Sequence, residues 1–188
     1  MLNHLFYPIG GLWILENRDK SIVFIGFMGA GKTTIGKKVA TKLNREFIDI
    51  DERIEKEYNM PVSQIFTEFG ETEFRDREKS LIASLAEQRQ KVISVGGGAF
   101  LQQEIKETCL TSCIVIFLEI SLESWKDRLE LIIDSRPVLK GKSIEEMEEL
   151  FYKRQAIYRN HHLKISTDCK SAEEVADQIV KELISYGE

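Results

Sequence analysis

Cysteine, histidine and proline are scarce in this chain of 188 residues, which contains three of each. Three cysteines cannot all pair, and the spacing of Cys109, Cys113 and Cys169 fits no common zinc pattern, so we expect free thiols of a cytoplasmic protein. The few, scattered histidines also give no indication of a metal site. A basic excess is absent too, because the net charge is −5, and nucleic acid is therefore not expected as a partner.

Long apolar runs are also missing, and no stretch is long enough to span a membrane. The apolar stretch at residues 5–15 is interrupted by proline and glycine, and it lacks the basic region and the cleavage site of a secretion signal. We therefore expect residues 1–20 to form a poorly ordered N-terminal extension, with no membrane partner. Since no other exposed apolar stripe stands out, a monomer is the default expectation.

Five short apolar runs that resemble buried strands alternate with segments of helical periodicity. The strand-like runs are 21–27, 47–50, 92–95, 113–120 and 163–166. Apolar residues make up 43% of the chain and charged residues 30%, as in an ordinary globular domain. The alternation predicts an α/β fold of three layers, in which helices cover both faces of a parallel sheet. We expect a single domain over residues 21–188.

A glycine-rich loop follows the first predicted strand. Residues 26–34, called the phosphate loop below, read GFMGAGKTT and match the pattern G-x-x-x-x-G-K-[ST], which wraps the phosphates of a nucleoside triphosphate. Glycines let the backbone amides of such a loop point at the phosphates, at the start of a helix. We expect ATP to bind here, with the Lys32 ammonium on the β- and γ-phosphates and the Thr33 hydroxyl on Mg²⁺. The candidate ATP-binding residues of the loop are Gly29, Ala30, Gly31, Lys32, Thr33 and Thr34.

Two aspartates end the second predicted strand. Asp49 and Asp51 are two residues apart, so on a strand they would point to the same face, towards the cleft. One carboxylate could then hold Mg²⁺ while the other accepts a proton from an acceptor hydroxyl or orients it. The alternative is that one of them, Asp51 above all, caps the next helix.

Three arginines and a run of glycines are further candidates. Arg75 and Arg154 lie in helical patterns, where each could equally be a solvated charge, and Arg75 could pair with Glu71 or Glu78. Glycines 96–98 directly follow a buried strand, which would let the backbone approach a ligand closely. Arg136 lies in a polar loop that could close over ATP, exclude water and neutralise charge in the transition state.

In this order, these segments resemble the shikimate kinase family from about residue 21 to the C-terminus. The matching segments are GFMGAGKTTIGK from Gly26, FIDID from Phe47, IFxxxGExxFRxxE from Ile65, GGG from Gly96, RPVL from Arg136 and RxxxY from Arg154. The resemblance implies a P-loop kinase fold with a five-stranded parallel sheet and a mobile lid at about residues 134–145. It also implies transfer of the γ-phosphoryl group of ATP to the 3-hydroxyl of shikimate, in the pathway to chorismate and the aromatic amino acids.

The resemblance also implies a role for each candidate residue. The shikimate carboxylate would be held by Arg75 and Arg154, and its hydroxyls by Asp51, with backbone contacts from Gly97 and Gly98. Asp49 would place Mg²⁺ together with Thr33. The catalytic residues would be Asp51, Lys32 and Arg136, while Arg128 and the segment 167–171 would border the adenine.

The sequence leaves two alternative functions open. A related small-molecule kinase could act on gluconate or on a nucleoside monophosphate, which would require a different acceptor pocket. A catalytically silent nucleotide-binding module is the other alternative, although Lys32, Asp49, Asp51 and Arg136 are all present.

Overall fold

The computed structural model describes residues 19–129 and 141–185, and within them five strands form one parallel sheet. The strands are β1 (Ile22–Ile25), β2 (Glu46–Asp49), β3 (Lys91–Ser94), β4 (Ile114–Glu119) and β5 (Leu163–Ser166). Their order across the sheet is β2-β3-β1-β4-β5, and every neighbouring pair is parallel. The predicted five-stranded parallel sheet is confirmed.

The helices are amphipathic and pack on the sheet through their apolar residues. They are α1 (Lys32–Leu43), α2 (Ile50–Tyr58), α3 (Val62–Glu68), α4 (Gly70–Ala86), α5 (Gln103–Ser112), α6 (Leu122–Asp127), α7 (Ile144–Gln155) and α8 (Ala172–Ser185). Helices α1 and α8 pack against each other, whereas α4 packs against α3 and α5. The spacing of buried residues follows the helical period, as at Ile35 and Val39 of α1.

The strand order determines where a ligand can bind. Strand β1 lies at the centre, with β2 and β3 on one side of it and β4 and β5 on the other, so the direction of the chain across the sheet reverses beside β1. At such a point the connections leave the sheet in opposite directions and open a crevice at the carboxyl ends of the strands. The loops after β1, β2 and β3 meet there, and they contain the phosphate loop, Asp49 and the three glycines.

One boundary differs from the predicted strand-like run 47–50: helix α2 already begins at Ile50, because the Asp49 side chain caps it. Helix α7 ends at Gln155 and is followed by a 3₁₀ turn at Ile157–Arg159. Most of the predicted N-terminal extension (1–20) and of the predicted lid (134–145) lies outside the described residues.

All three cysteines are free thiols. Cys109 and Cys113 are buried at the end of α5, and burial raises the pKa of the Cys113 thiol to about 11. Such thiols stay protonated at neutral pH and are poor nucleophiles. Among residues 19–129 and 141–185, no helix has the length and apolarity needed to cross a membrane.

Candidate active site

The phosphate loop connects β1 to α1 through two glycines with positive φ that other residues could not easily replace. Gly26 has φ +145°, and a Cβ atom there would lie 2.5 Å from the carbonyl oxygen of Leu118 on β4. Gly31 has φ +92° and occupies the N-cap position of α1 without a capping side chain. The amides of the first turn are therefore not capped by a side chain, which is the arrangement that binds phosphate at a helix N-terminus.

The phosphate loop borders an open cavity of about 280 Å³, called the loop cavity below. Its walls include most of the predicted ATP-binding residues, namely Gly29, Gly31, Lys32, Thr33, Thr34 and Arg128, together with both aspartates, Asp49 and Asp51. Ala30 is the exception, because its side chain is buried and does not line the cavity. Lys32 Nζ donates to the carbonyl oxygens of Gly26 (2.9 Å) and Phe27 (3.1 Å), so the ammonium lies over the loop itself.

Asp49 uses its two carboxylate oxygens for two different tasks. Oδ2 accepts a hydrogen bond from the Thr33 hydroxyl at 2.7 Å. Oδ1 accepts from the backbone N–H groups of Asp51 (3.1 Å) and Glu52 (3.4 Å) and thereby caps α2. Asp49 is therefore the residue that caps α2, whereas the alternative raised from the sequence placed this cap above all on Asp51.

The prediction that both aspartates share one strand face is wrong. Strand β2 ends at Asp49, and Asp51 already belongs to the first turn of α2, because the cap starts the helix between them. The two carboxylates still line the same loop cavity. The helical position gives Asp51 a second environment, since it also lines an adjoining pocket.

This second pocket, called the arginine cavity below, has a volume of about 80 Å³. It contains every predicted substrate-binding residue: Asp51, Arg75, Gly97, Gly98 and Arg154. Its apolar walls come from Met28, Val62, Phe66 and Phe74. Asp51 therefore lies where the loop cavity and the arginine cavity meet.

Arg154 is buried, and no acidic residue within 19–129 and 141–185 pairs with it. Its side chain follows Met147 and Phe151 on the buried face of α7, and the ring centroid of Phe151 lies 5.0 Å from that of Phe27 in the phosphate loop. Only 8% of Arg154 is exposed, which contradicts the alternative of a solvated helix charge. Throughout the described part of the chain, no acidic side chain forms an ion pair with it.

Arg75, by contrast, is held by two carboxylates of its own helix. Its Nη1 donates to Glu78 Oε2 at 2.8 Å, while Nε and Nη2 donate to Glu71 Oε1 at 3.1 and 3.0 Å. The guanidinium carbon lies 5.3 Å from the ring centroid of Phe74. The ion pairs expected for a helical arginine are thus present, and Arg75 faces the arginine cavity as well.

The three glycines after β3 leave room for charged side chains. A Cβ atom on Gly96 would lie 3.0 Å from both Asp51 Oδ1 and Glu78 Oε1. A Cβ on Gly97 would lie 3.2 Å from Arg154 Nη1, and one on Gly98 would lie 2.9 Å from Arg75 Nη2. Each glycine therefore lets at least one charged side chain approach the edge of the sheet closely.

Glu78 is the residue of this region to which the sequence assigned no role in the site. It is completely buried, and its Oε2 accepts from Arg75 Nη1 and, at 3.0 Å, from Gln102 Nε2. Its Oε1 has no hydrogen-bond partner. The sequence pattern that could have identified Glu78 is its position in the apolar stripe of α4, together with Phe74, Leu81 and Ile82. An acid in a buried stripe needs a partner.

Burial raises the pKa of the Glu78 carboxyl to about 7, and the Asp51 charge contributes to the rise while Arg75 opposes it.

Burial also raises the pKa of Tyr158 to about 12. The neutral Tyr158 hydroxyl donates to the carbonyl oxygen of Gly97 at 2.7 Å and fixes the glycine backbone beside Arg154.

Arg128 connects the phosphate loop to the loop after β5. Its Nη1 donates to the carbonyl oxygen of Gly29 at 3.1 Å, and its Nη2 donates to that of Thr167 at 3.3 Å. It lines the loop cavity on the side of the segment 167–171. Arg136, predicted to be catalytic and to bind ATP, lies outside the described residues.

Comparison with known proteins agrees with this geometry. The family model described as "Shikimate kinase" matches residues 28–184. The chain belongs to the shikimate kinase family. A shikimate kinase of Oceanobacillus iheyensis is 55% identical over 166 residues, which cover 88% of this chain and 91% of that protein. The shikimate kinase of Bacillus subtilis is 52% identical over 167 residues, covering 88% and 90%.

Among solved structures, a shikimate kinase from Acinetobacter baumannii in complex with shikimate superposes with a TM-score of 0.82. It is 33% identical, and the match covers 88% of this chain and 93% of that one. As a member of the shikimate kinase family, the chain is an ATP-dependent phosphotransferase, and the predicted P-loop kinase fold and enzyme class are confirmed. The silent-module alternative loses its support.

The assignment of the helix cap to Asp49 can be tested by substitution. Asp49→Ala removes the cap of α2 and is expected to lower the free energy of unfolding by about 1 kcal/mol, whereas Asp49→Asn retains a capping oxygen and should cost only a few tenths of that. Urea denaturation of both variants measures the difference. Equal losses for the two variants would contradict the assignment of the cap to the side-chain oxygen.

Proposed function

We propose that this enzyme transfers the γ-phosphoryl group of ATP to the 3-hydroxyl of shikimate, giving shikimate 3-phosphate and ADP. The observation that supports this most directly is the meeting of the loop cavity and the arginine cavity at Asp51. One cavity has the residues that bind a nucleoside triphosphate, and the other has two arginines. A phosphoryl acceptor in the second cavity would lie next to the γ-phosphate in the first.

The charge of the arginine cavity supports a carboxylate acceptor. Burying a guanidinium without an acidic partner, as at Arg154, is costly unless a ligand compensates the charge. A planar carboxylate matches the fork of a guanidinium better than it matches an ammonium. Shikimate is a small cyclic carboxylate with three hydroxyls, so Arg154 and Arg75 would bind its carboxylate and Asp51 would bind hydroxyls, with backbone contacts from Gly97 and Gly98.

The loop cavity would hold ATP and Mg²⁺. The backbone of residues 29–34 and the Lys32 ammonium would bind the phosphates, while Arg128 would border the adenine. The Thr33 hydroxyl and the Asp49 carboxylate lie 2.7 Å apart and offer only oxygen ligands, the type that Mg²⁺ prefers. When bound, Mg²⁺ neutralises charge on the phosphates.

Phosphoryl transfer depends mainly on positioning and on charge stabilisation. Asp51 would orient the 3-hydroxyl and accept its proton as the oxygen bonds to the γ-phosphorus and the bond to ADP breaks. Lys32 would stabilise the negative charge that develops on the transferred group, and we assign the same task to Arg136 in a lid that excludes water.

The reaction assigns the enzyme to the pathway that leads to chorismate and the aromatic amino acids. We propose that it acts in the cytoplasm, where ATP is supplied and free thiols persist. We also propose that it acts as a monomer, because no exposed apolar stripe stands out in the sequence after the N-terminal segment. Nucleic acid and membranes have no part in this proposal.

The first experiment is an acceptor comparison. The purified protein is mixed with ATP and Mg²⁺, and ADP release is followed with shikimate, gluconate or a nucleoside monophosphate. We expect ADP release only with shikimate, and none when Mg²⁺ is omitted. Release with another acceptor would retain the kinase activity and reject shikimate as the substrate.

Arg154 tests the binding of the carboxylate. Arg154→Ala is expected to raise the KM for shikimate roughly 100-fold, with little change in the KM for ATP, because the substrate loses a charged hydrogen-bond partner. Arg154→Lys should recover part of the loss, since it keeps the charge but not the planar fork. Arg159→Ala, which removes an exposed arginine nearby, is the control. An unchanged KM for shikimate in folded Arg154→Ala would reject the role.

Asp51 tests the chemistry. Asp51→Asn keeps the shape of the side chain but cannot accept the proton, so kcat should fall by roughly 10²- to 10⁴-fold while the affinity for ATP stays close to that of the wild type. Glu52→Gln changes the neighbouring exposed acid and serves as the control. A kcat close to the wild-type value would show that Asp51 is not the proton acceptor.

A further inference from the structure

Glu78 is a buried carboxyl group located between the charges of the arginine cavity. One oxygen, Oε2, is bonded to Arg75 and to Gln102, while the other, Oε1, has no hydrogen-bond partner although it is buried. Oε1 and Asp51 Oδ1 both lie beside Gly96, each 3.0 Å from the position of a Cβ atom on that glycine. Glu78 lies just behind the cavity wall and does not line it.

Acidic groups around Glu78 already outnumber the cation that faces it before a ligand binds. Arg75, three residues before Glu78 on α4, is the cation that faces it, and it is shared with Glu71 on the exposed side. The Asp51 carboxylate of α2 lies beside Gly96, as Glu78 does, and the uncharged Gln102 amide approaches from the turn before α5. An incoming carboxylate at Arg75 would be a further anion beside a cation that already has two acidic partners.

We propose that Glu78 takes up a proton when the carboxylate of the acceptor binds to Arg75. This inference rests on the function proposed above. Protonation removes the charge of one of the two acids that compete for the Arg75 guanidinium and leaves only Glu71, so more of the Arg75 charge becomes available to the ligand. It also gives a hydroxyl donor to a carboxyl group that has an unpartnered oxygen. Glu78 is therefore a positioning residue that acts through Arg75.

The pKa of the group lies in the range where such an exchange is possible. Burial raises the pKa of Glu78 to about 7, so about half of it is ionised at neutral pH. A second carboxylate beside Arg75 raises the pKa further, because a like charge disfavours ionisation. Binding then favours the protonated form, and the affinity for shikimate should decrease as the pH rises above 7.

The test is calorimetric titration of shikimate into the full-length protein in buffers of different ionisation enthalpy. The dependence of the observed heat on the buffer gives the number of protons taken up per ligand. At pH 7 we expect an uptake of at most about 0.5 proton, because only the ionised half of Glu78 can gain one. The uptake should peak above pH 7 and approach zero near pH 5, where Glu78 is already protonated.

Glu78→Gln assigns the proton. Glutamine imitates the protonated carboxyl and can still accept from Arg75, so binding should persist without proton uptake. Uptake that persists in this variant would overturn the proposal, because another group would then be responsible. Binding without uptake in the wild type would overturn it as well and would leave the proposed function intact. Absence of binding to the wild type would reject both.

Gln102→Met provides a second variant that leaves the buried carboxyl in place. It removes an N–H donor that stabilises the ionised Glu78, so the pKa should rise and the uptake peak should move to higher pH. Gln103→Met is the matched control, since the Gln103 amide bonds to Glu107 on the surface of α5. If the pH of maximal proton uptake is the same in Gln102→Met as in the wild type, Glu78 is not the titrating group.

Discussion

The carboxylate of Asp49 joins the three parts of the site that must act together. One oxygen holds the Thr33 hydroxyl at the start of α1, and the other holds the first amides of α2. The phosphate loop and the helix that contains Asp51 are thereby fixed to the end of the same strand. Because α2 starts immediately after β2, Asp51 turns into the space between the two cavities instead of lying along the strand. The position of Asp51 in the walls of both cavities is a consequence of this cap.

The glycines after β3 allow the charged groups to be concentrated at one sheet edge. Asp51, Glu78, Arg75 and Arg154 each approach the backbone of residues 96–98 more closely than a Cβ atom would allow without displacement. A parallel sheet gathers loops at its carboxyl edge, but side chains on those loops would normally keep the other elements apart. Without side chains of their own, these residues let charged side chains from three helices come close to the same sheet edge.

The sequence predicted the layers of the fold and the position of the phosphate loop because both depend on local pattern. Five apolar runs and one glycine-rich motif were enough to predict the parallel sheet and the loop at the carboxyl end of β1. The roles of Arg75 and Arg154 came from the family resemblance, since an arginine on a helix is usually solvated. Glu78 was missed because the pattern Arg-x-x-Glu also describes an exposed ion pair. Its burial depends on α4 packing against the glycines and Gln102, which are distant in sequence.

In the proposed function, the charge of the arginine cavity would select a class of acceptor, whereas its apolar walls would select within that class. Gluconate and shikimate are both hydroxylated carboxylates, so a pair of arginines and an aspartate cannot by themselves distinguish them. Val62, Phe66 and Phe74 surround the same cavity with flat apolar surface, which suits the face of a ring. An open chain would have to lose the freedom of several rotatable bonds to lie against these walls, at a cost of about 0.5–1.5 kcal/mol for each group immobilised. The preference for a cyclic acceptor is therefore argued from the shape of the cavity and not from its charge.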